Sequence, residues 1–114
     1  MIGKGIASLM VTAGLLFAAS ASLRARPKGD ATAGKDTYTK KCKNCHAEDG
    51  HGNDGMAKVL KTTIPPLDGT EVQNMSDADL KKVIVEGKGK MKPVQGLSDA
   101  EIENVIAYVR TMKK

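Results

Sequence analysis

The chain is poor in aromatic side chains: one Phe, two Tyr and no Trp among 114 residues. The single Phe, Phe17, lies in an N-terminal stretch that reads as removable, so the mature domain keeps only Tyr38 and Tyr108. Cysteine is equally scarce. Two thiols allow at most one disulfide, which excludes a disulfide-built scaffold. No segment alternates apolar and polar residues as a half-buried strand does. With 40% apolar residues the composition also excludes disorder, a collagen-like repeat and a polytopic membrane protein. What is left is one domain of about 90 residues. Domains this small commonly need a metal, a disulfide or a bound group as a staple. Something other than aromatic side chains must fill the interior.

Residues 1–21 have the three parts of a secretory signal: Lys4 with the terminal amine, a short apolar run, and Ala19-Ser20-Ala21 as the cleavage site. The competing reading is an uncleaved anchor, because residues 5–23 form an uncharged run of 19, just long enough to span a bilayer. Either way the domain is expected outside the cytoplasm, in the periplasm. Residues 22–29 are a short linker with Pro27, and residues 30–114 are the domain. Removing residues 1–21 takes away Lys4 and lowers the formal charge from +5 to +4. A mildly basic, exported chain with no basic aromatic patch is not expected to bind nucleic acid.

Asp30 can cap a helix over residues 31–41, with Gly34 and Tyr38 one turn apart on a shared face. A Gly- and Asp-rich loop follows residue 46, then a short helix over 56–61 and an extended turn over 64–69. Ser76 and Asp79 open the next helix, with Met75 and Leu80 placed as a hydrophobic staple. Leu80, Val83 and Ile84 form its stripe and Gly87 stops it. Ser98 and Glu101 form a capping box for a last helix striped by Ile102, Val105, Ile106 and Val109. The expected fold class is all-α, with long Gly-rich loops.

Cys42-Lys43-Asn44-Cys45-His46 is C-x-x-C-H, the attachment sequence of c-type haem. Two thiols three positions apart on a helical turn face the same way and can add to the two vinyl groups of one porphyrin. The adjacent His is then the proximal iron ligand. Three other uses of these residues compete. A thioredoxin-like dithiol belongs beside a βαβ pattern, which is missing. Structural zinc needs a fourth ligand, and the only other His is His51. A disulfide across three residues would constrain almost nothing.

From residue 29 to the C-terminus the chain resembles the small monohaem class I cytochromes c. Beyond the attachment motif the resemblance rests on Gly34-x-x-x-Tyr38, Pro65-x-Leu67, Gly87-x-Gly89-x-Met91 and a final helix with Tyr108. It implies a fold whose N- and C-terminal helices cross, wrapped around one covalent haem c held through Cys42 and Cys45. It further implies His46 and Met91 as axial ligands, with the Pro65 carbonyl accepting from the second ring nitrogen of His46. The residues themselves leave the sixth ligand open. Met75 and Met112 have packing explanations, Met56 follows His46 closely, and His51 or a Lys could compete. Met91 lies in a loop with no obvious core role. The family's ligand Met is usually followed directly by Pro, whereas Lys92 stands between Met91 and Pro93 here.

A thioether ligand favours ferrous iron, and two filled axial positions leave none for a substrate. The expected function is one-electron transfer between redox proteins, not enzymatic turnover. The alternatives are a haem enzyme or ligand sensor with an open sixth site, and a haem subunit tethered to a respiratory complex. Lys88, Lys90 and Lys92 would point outward from an extended loop that aims Met91 inward. With Lys40, Lys41 and Lys43 they suggest a monomer that docks on acidic patches of its partners.

Overall fold

A computed structural model describes residues 28–114 and, ahead of them, only Gly3 and Gly14. The expected leader therefore lies, those two glycines apart, outside the described residues. Six helices make up the rest. α1 (Ala31–Lys41) starts where the Asp30 carboxylate accepts from the N–H groups of Thr32 and Ala33, at 2.8 and 3.4 Å. That satisfies two of the four amides a helix start leaves free. α2 (Lys43–His46) continues after Cys42 alone. α3 (Asp54–Leu60) begins two residues before the expected helix, because Asn53 accepts from the Met56 N–H at 3.1 Å and moves the start forward. α4 (Thr70–Gln73) is a single turn that sequence periodicity cannot reveal.

α5 (Asp77–Glu86) is capped by Ser76, whose hydroxyl accepts from the Asp79 N–H at 3.1 Å, and it ends at Gly87. α6 (Asp99–Arg110) carries the expected capping box in full. The Ser98 hydroxyl accepts from the Glu101 N–H at 3.2 Å, and the Glu101 carboxylate accepts from the Ser98 N–H at 3.1 Å. No strand occurs among the described residues, and none of their helices is long and apolar enough to cross a membrane. The all-α expectation stands.

α1 and α6 cross at Gly34. A side chain there would run into the Asn104 carbonyl, so only glycine lets the two backbones approach. One turn on, the buried Tyr38 packs against Tyr108 with ring centroids 5.2 Å apart and planes tilted by 59°. The core is a cluster of Val72, Leu80, Ile102, Val105, Ile106 and Val109, with Cys42, Leu67, Met75, Ile84 and Leu97 against its edge. Arg110 ties the end of α6 to the α4–α5 junction. It donates to the carbonyls of Gln73, at 2.9 Å, and Met75, and to the Asp77 carboxylate at 2.8 and 3.0 Å. Gln73 Nε2 bridges the carbonyls of Leu67 and Val109 at 2.8 and 2.9 Å. α2 and α3, by contrast, bury no residue.

Candidate functional site

The Cys42–His46 segment forms because α1 delivers the chain directly into one more helical turn. The N–H of Cys42 donates to the Tyr38 carbonyl at 2.8 Å, closing α1. The N–H groups of Cys45 and His46 then both donate to the Cys42 carbonyl, at 3.2 and 3.0 Å. That turn places both thiols and the imidazole on one short element. Both thiols are free and half-buried. Burial, reinforced by Cys45, pushes the Cys42 thiol up to about 11. A redox dithiol needs a first thiol with a lowered value, so this environment argues against disulfide exchange.

Burial lowers the pKa of His46 and favours its neutral form, the form that ligates a metal. Its Nδ1 is buried and has no hydrogen-bond partner. The expected bond to the Pro65 carbonyl is therefore not formed in this structure, and the local geometry gives the reason. Pro65 is exposed, and its segment is held from beyond by the Leu67 N–H donating to the Gly50 carbonyl at 2.8 Å. Ile64 lies beside the loop after His46, its side chain and its carbonyl both 3.2–3.3 Å from where a Gly52 side chain would begin.

Met91 sits in a turn tighter than the expected extended loop. Lys88 and Met91 exchange backbone hydrogen bonds, each 2.9 Å, around Gly89-Lys90. Gly89 has φ +57° at the first central position, the pattern of a type II′ turn. The outward lysines survive this correction: Lys88, Lys90 and Lys92 are exposed while Met91 is half-buried. Gly87 is what seats the turn. Its φ of +78° suits glycine, and a side chain there would meet the Met91 carbonyl at 2.5 Å and the Pro93 ring at 2.9 Å. The N–H of Val94 then donates to the Ile84 carbonyl at 2.9 Å, folding the loop back on α5.

The other candidates have other occupations. His51 pairs through Nε2 with Asp68 at 2.7 Å and through Nδ1 with Asp49 at 3.2 Å, so neither ring nitrogen is free for a metal. The bond from His51, with Lys114 at 3.5 Å, holds the Asp68 carboxyl below its usual range. Met75 packs on the core edge. Met112 follows α6 and rests its thioether on Gly50. Met56 lines a cleft of about 530 Å³ with Lys43, Asn44, Ala47, Glu48 and Asn53, which Cys42, Cys45 and His46 do not line. Among the described residues no three His, Cys, Asp or Glu side chains gather as a metal site, so the zinc reading finds no fourth ligand.

The residues fit a covalently attached haem. Two free thiols lie one turn apart beside a half-buried imidazole favoured neutral, Cys42 at the edge of the core and the α2 and α3 helices that follow burying no residue. Sequence reading missed two features of this region. One is the His51–Asp68 pair. The other is a hydrogen bond from the Tyr38 hydroxyl to the Ala47 carbonyl. Both join residues whose proximity depends on how the loop folds.

Comparison with known proteins agrees with this chemistry. Residues 29–109 match the family described as "Cytochrome C oxidase, cbb3-type, subunit III". The chain is 36% identical over 93 residues to cytochrome c-554(547) of Halothiobacillus neapolitanus, covering 75% of this chain and 99% of that one. Among solved structures it is similar to the KustC0563 c-type cytochrome, with a TM-score of 0.61 and 30% identity, over 71% of this chain and 98% of that one. It is also similar to cytochrome cL of Hyphomicrobium denitrificans, with a TM-score of 0.57 and 27% identity, over 74% of this chain and 48% of that one.

Proposed function

The chain belongs to the c-type cytochromes of this family, and on that premise we propose that it is a periplasmic one-electron carrier using one haem c with His46 and Met91 as axial ligands. Covalent haem supplies a one-electron ferric/ferrous couple. The polypeptide does the rest. Cys42 and Cys45 would hold the porphyrin through two thioether bonds, each S–H giving its sulfur to one vinyl carbon and its hydrogen to the other as the C=C π bond is used up. The imidazole of His46, kept neutral by burial, gives the proximal nitrogen. An acceptor for its Nδ1 would come from the 64–65 segment, which runs beside the His46 loop. Met91, held by the turn that Gly87 seats, gives the sulfur. Ligation by an imidazole and a thioether would raise the potential and leave no open position for a substrate, which suits transfer to a partner and not turnover.

The observation that carries this reading is the single helical turn presenting two free thiols and a half-buried imidazole whose Nδ1 is buried. The exposed Lys40, Lys41, Lys43, Lys88, Lys90 and Lys92 support docking on acidic patches of redox proteins, by a monomer, at rates that fall as salt rises. The family match over residues 29–109 supports the domain over 30–114, while the leader over 1–21 and the linker over 22–29 rest on the sequence pattern alone.

The test is an absorption spectrum of the holoprotein, oxidised and reduced, with and without carbon monoxide, beside Met91→Ala. The carrier gives a low-spin spectrum with the ferric Met–iron charge-transfer band and ignores carbon monoxide. Met91→Ala loses the band and binds carbon monoxide. A native protein that is high-spin or binds carbon monoxide readily overturns the reading in favour of a haem enzyme or sensor. The family description and the uncharged run over 5–23 favour one second reading, a haem subunit tethered to a respiratory oxidase. The mass of the exported protein separates the two, because a free carrier begins near Ser22.

A further inference from the structure

The residue after the attachment motif has a backbone conformation that ordinarily belongs to glycine. Ala47 has φ +64° and ψ +169°. That region is closed to residues with a side chain unless the surroundings hold it. Its N–H donates to the Lys43 carbonyl at 2.9 Å, as the end of a helical turn should, and this does not explain the sharp exit that follows.

The explanation lies across the fold, on α1. Tyr38 is 2% exposed, its ring is packed on Tyr108, and its hydroxyl donates to the Ala47 carbonyl at 2.5 Å. The Tyr38 carbonyl receives the N–H of Cys42 at 2.8 Å. One residue thus meets both ends of the five-residue motif: its backbone carbonyl closes the helix at the first thiol, as any residue there would, and its side-chain hydroxyl reaches just past His46. Burial pushes the phenol well above its ordinary value, so the proton that makes this bond stays in place across the working pH range. On the far side the His46 carbonyl receives the Gly52 N–H at 2.9 Å, so the peptide carrying the imidazole is bonded at the next loop as well.

We propose that Tyr38 is a positioning residue for the iron ligand: its hydroxyl holds Ala47 in the left-handed turn that fixes the main chain, and hence the ring, of His46. The inference rests on His46 being that ligand. If it is right, losing the hydroxyl frees Ala47 to relax to negative φ, which swings the 46–47 peptide and turns the imidazole. If residue 47 were glycine, the turn would carry no strain and the hydroxyl would matter far less. The structural alternative is that Tyr38 only fills space against Tyr108.

The experiment compares holoproteins carrying Tyr38→Phe, Ala47→Gly, both together, and Tyr108→Phe as the packing control. The readouts are the hyperfine-shifted resonances of the His46 ring in the ferric protein and the reduction potential. Tyr38→Phe should move the ring resonances and change the ferric/ferrous ratio about tenfold at fixed potential, equivalent to about 59 mV for one electron. Ala47→Gly and Tyr108→Phe should leave the resonances near their native positions, and the double variant should return most of the way to them. Unmoved resonances in Tyr38→Phe, or a double variant displaced as far as the single one, overturn the proposal. If Tyr38→Phe takes up no haem, restored uptake in the double variant supports it and continued failure overturns it. Native His46 resonances without hyperfine shifts would instead overturn the ligand assignment, and the inference with it.

Discussion

The molecule has two halves organised by different forces. One, built from α1 and α4–α6, has a conventional interior: six mutually packed aliphatic residues, a crossing at Gly34 and a tilted tyrosine pair. The other, from Cys42 to Leu67, carries two short helices with no buried residue and is ordered by backbone hydrogen bonds and caps. Short helices are marginal unless tertiary packing supports them. The second half therefore shows where the protein depends on its prosthetic group, and the first half shows how it holds the attachment motif ready. Tyr38 and Cys42 lie on the seam, one buried in the packed half and the other at its edge.

The harshest way to break this division is to separate the crossing helices. Gly34→Val drives a branched side chain into the Asn104 backbone, and we expect a loss of about 3 kcal/mol or more in urea unfolding of the holoprotein. Next comes the clamp at the end of α6. Arg110→Ala strips partners from the carbonyls of Gln73 and Met75 and from Asp77, for an expected cost of about 2–3 kcal/mol. Arg110→Lys should recover little of it, since one ammonium cannot reproduce the forked contacts. A result under half that cost would mean the α4–α5 junction holds without the clamp.

Much of this was legible from residues alone, and the reason is local. The Asp30 and Ser98 caps, the helix stop at Gly87 and the C-x-x-C-H turn are decided within four or five residues of themselves, so the chain displays them. Met91 stands out for want of a core role, but its turn is not the extended loop that the sequence predicts. The alternation of lysines suggested a strand-like loop, whereas Gly87 and Gly89 close it into a hairpin. The partner of His46 Nδ1, the Arg110 clamp and the Tyr38–Ala47 bond were hidden for the opposite reason. Each joins segments that meet only after the chain has folded, and nothing in the spacing of Tyr38 and Ala47 marks one as the other's partner.

Matched cap deletions sharpen the contrast between the halves. Ser98→Ala should lower global stability by about 1 kcal/mol, because α6 unfolds only with the core. Asn53→Ala removes an equivalent bond from α3, which buries nothing, so faster hydrogen exchange should be confined to residues 54–60 with little change in the global transition. Equal global losses from the two would contradict the division into halves.

The smallest effect is electrostatic. Hydrogen bonding from His51, aided by Lys114, holds the Asp68 carboxyl below its usual range, and the Ser98 N–H does the same for Glu101. A depressed carboxyl stabilises the folded state fully above the ordinary carboxylate range near pH 4, and that contribution fades as pH falls through its lowered value. The gap in thermal stability between the native protein and Asp68→Asn should therefore close below about pH 4, and so should the gap for Glu101→Gln. Hydrogen exchange at low pH tells them apart. Loss of Asp68 ionisation should loosen residues 47–52, where His51 joins the loop after His46 to the Asp68 segment, while loss at Glu101 should fray only the first turn of α6. If the 47–52 amides stay protected as the Asp68 pair is neutralised, the loop is held by its backbone bonds, Gly52 to His46 and Leu67 to Gly50, and the ion pair is incidental to the setting of His46.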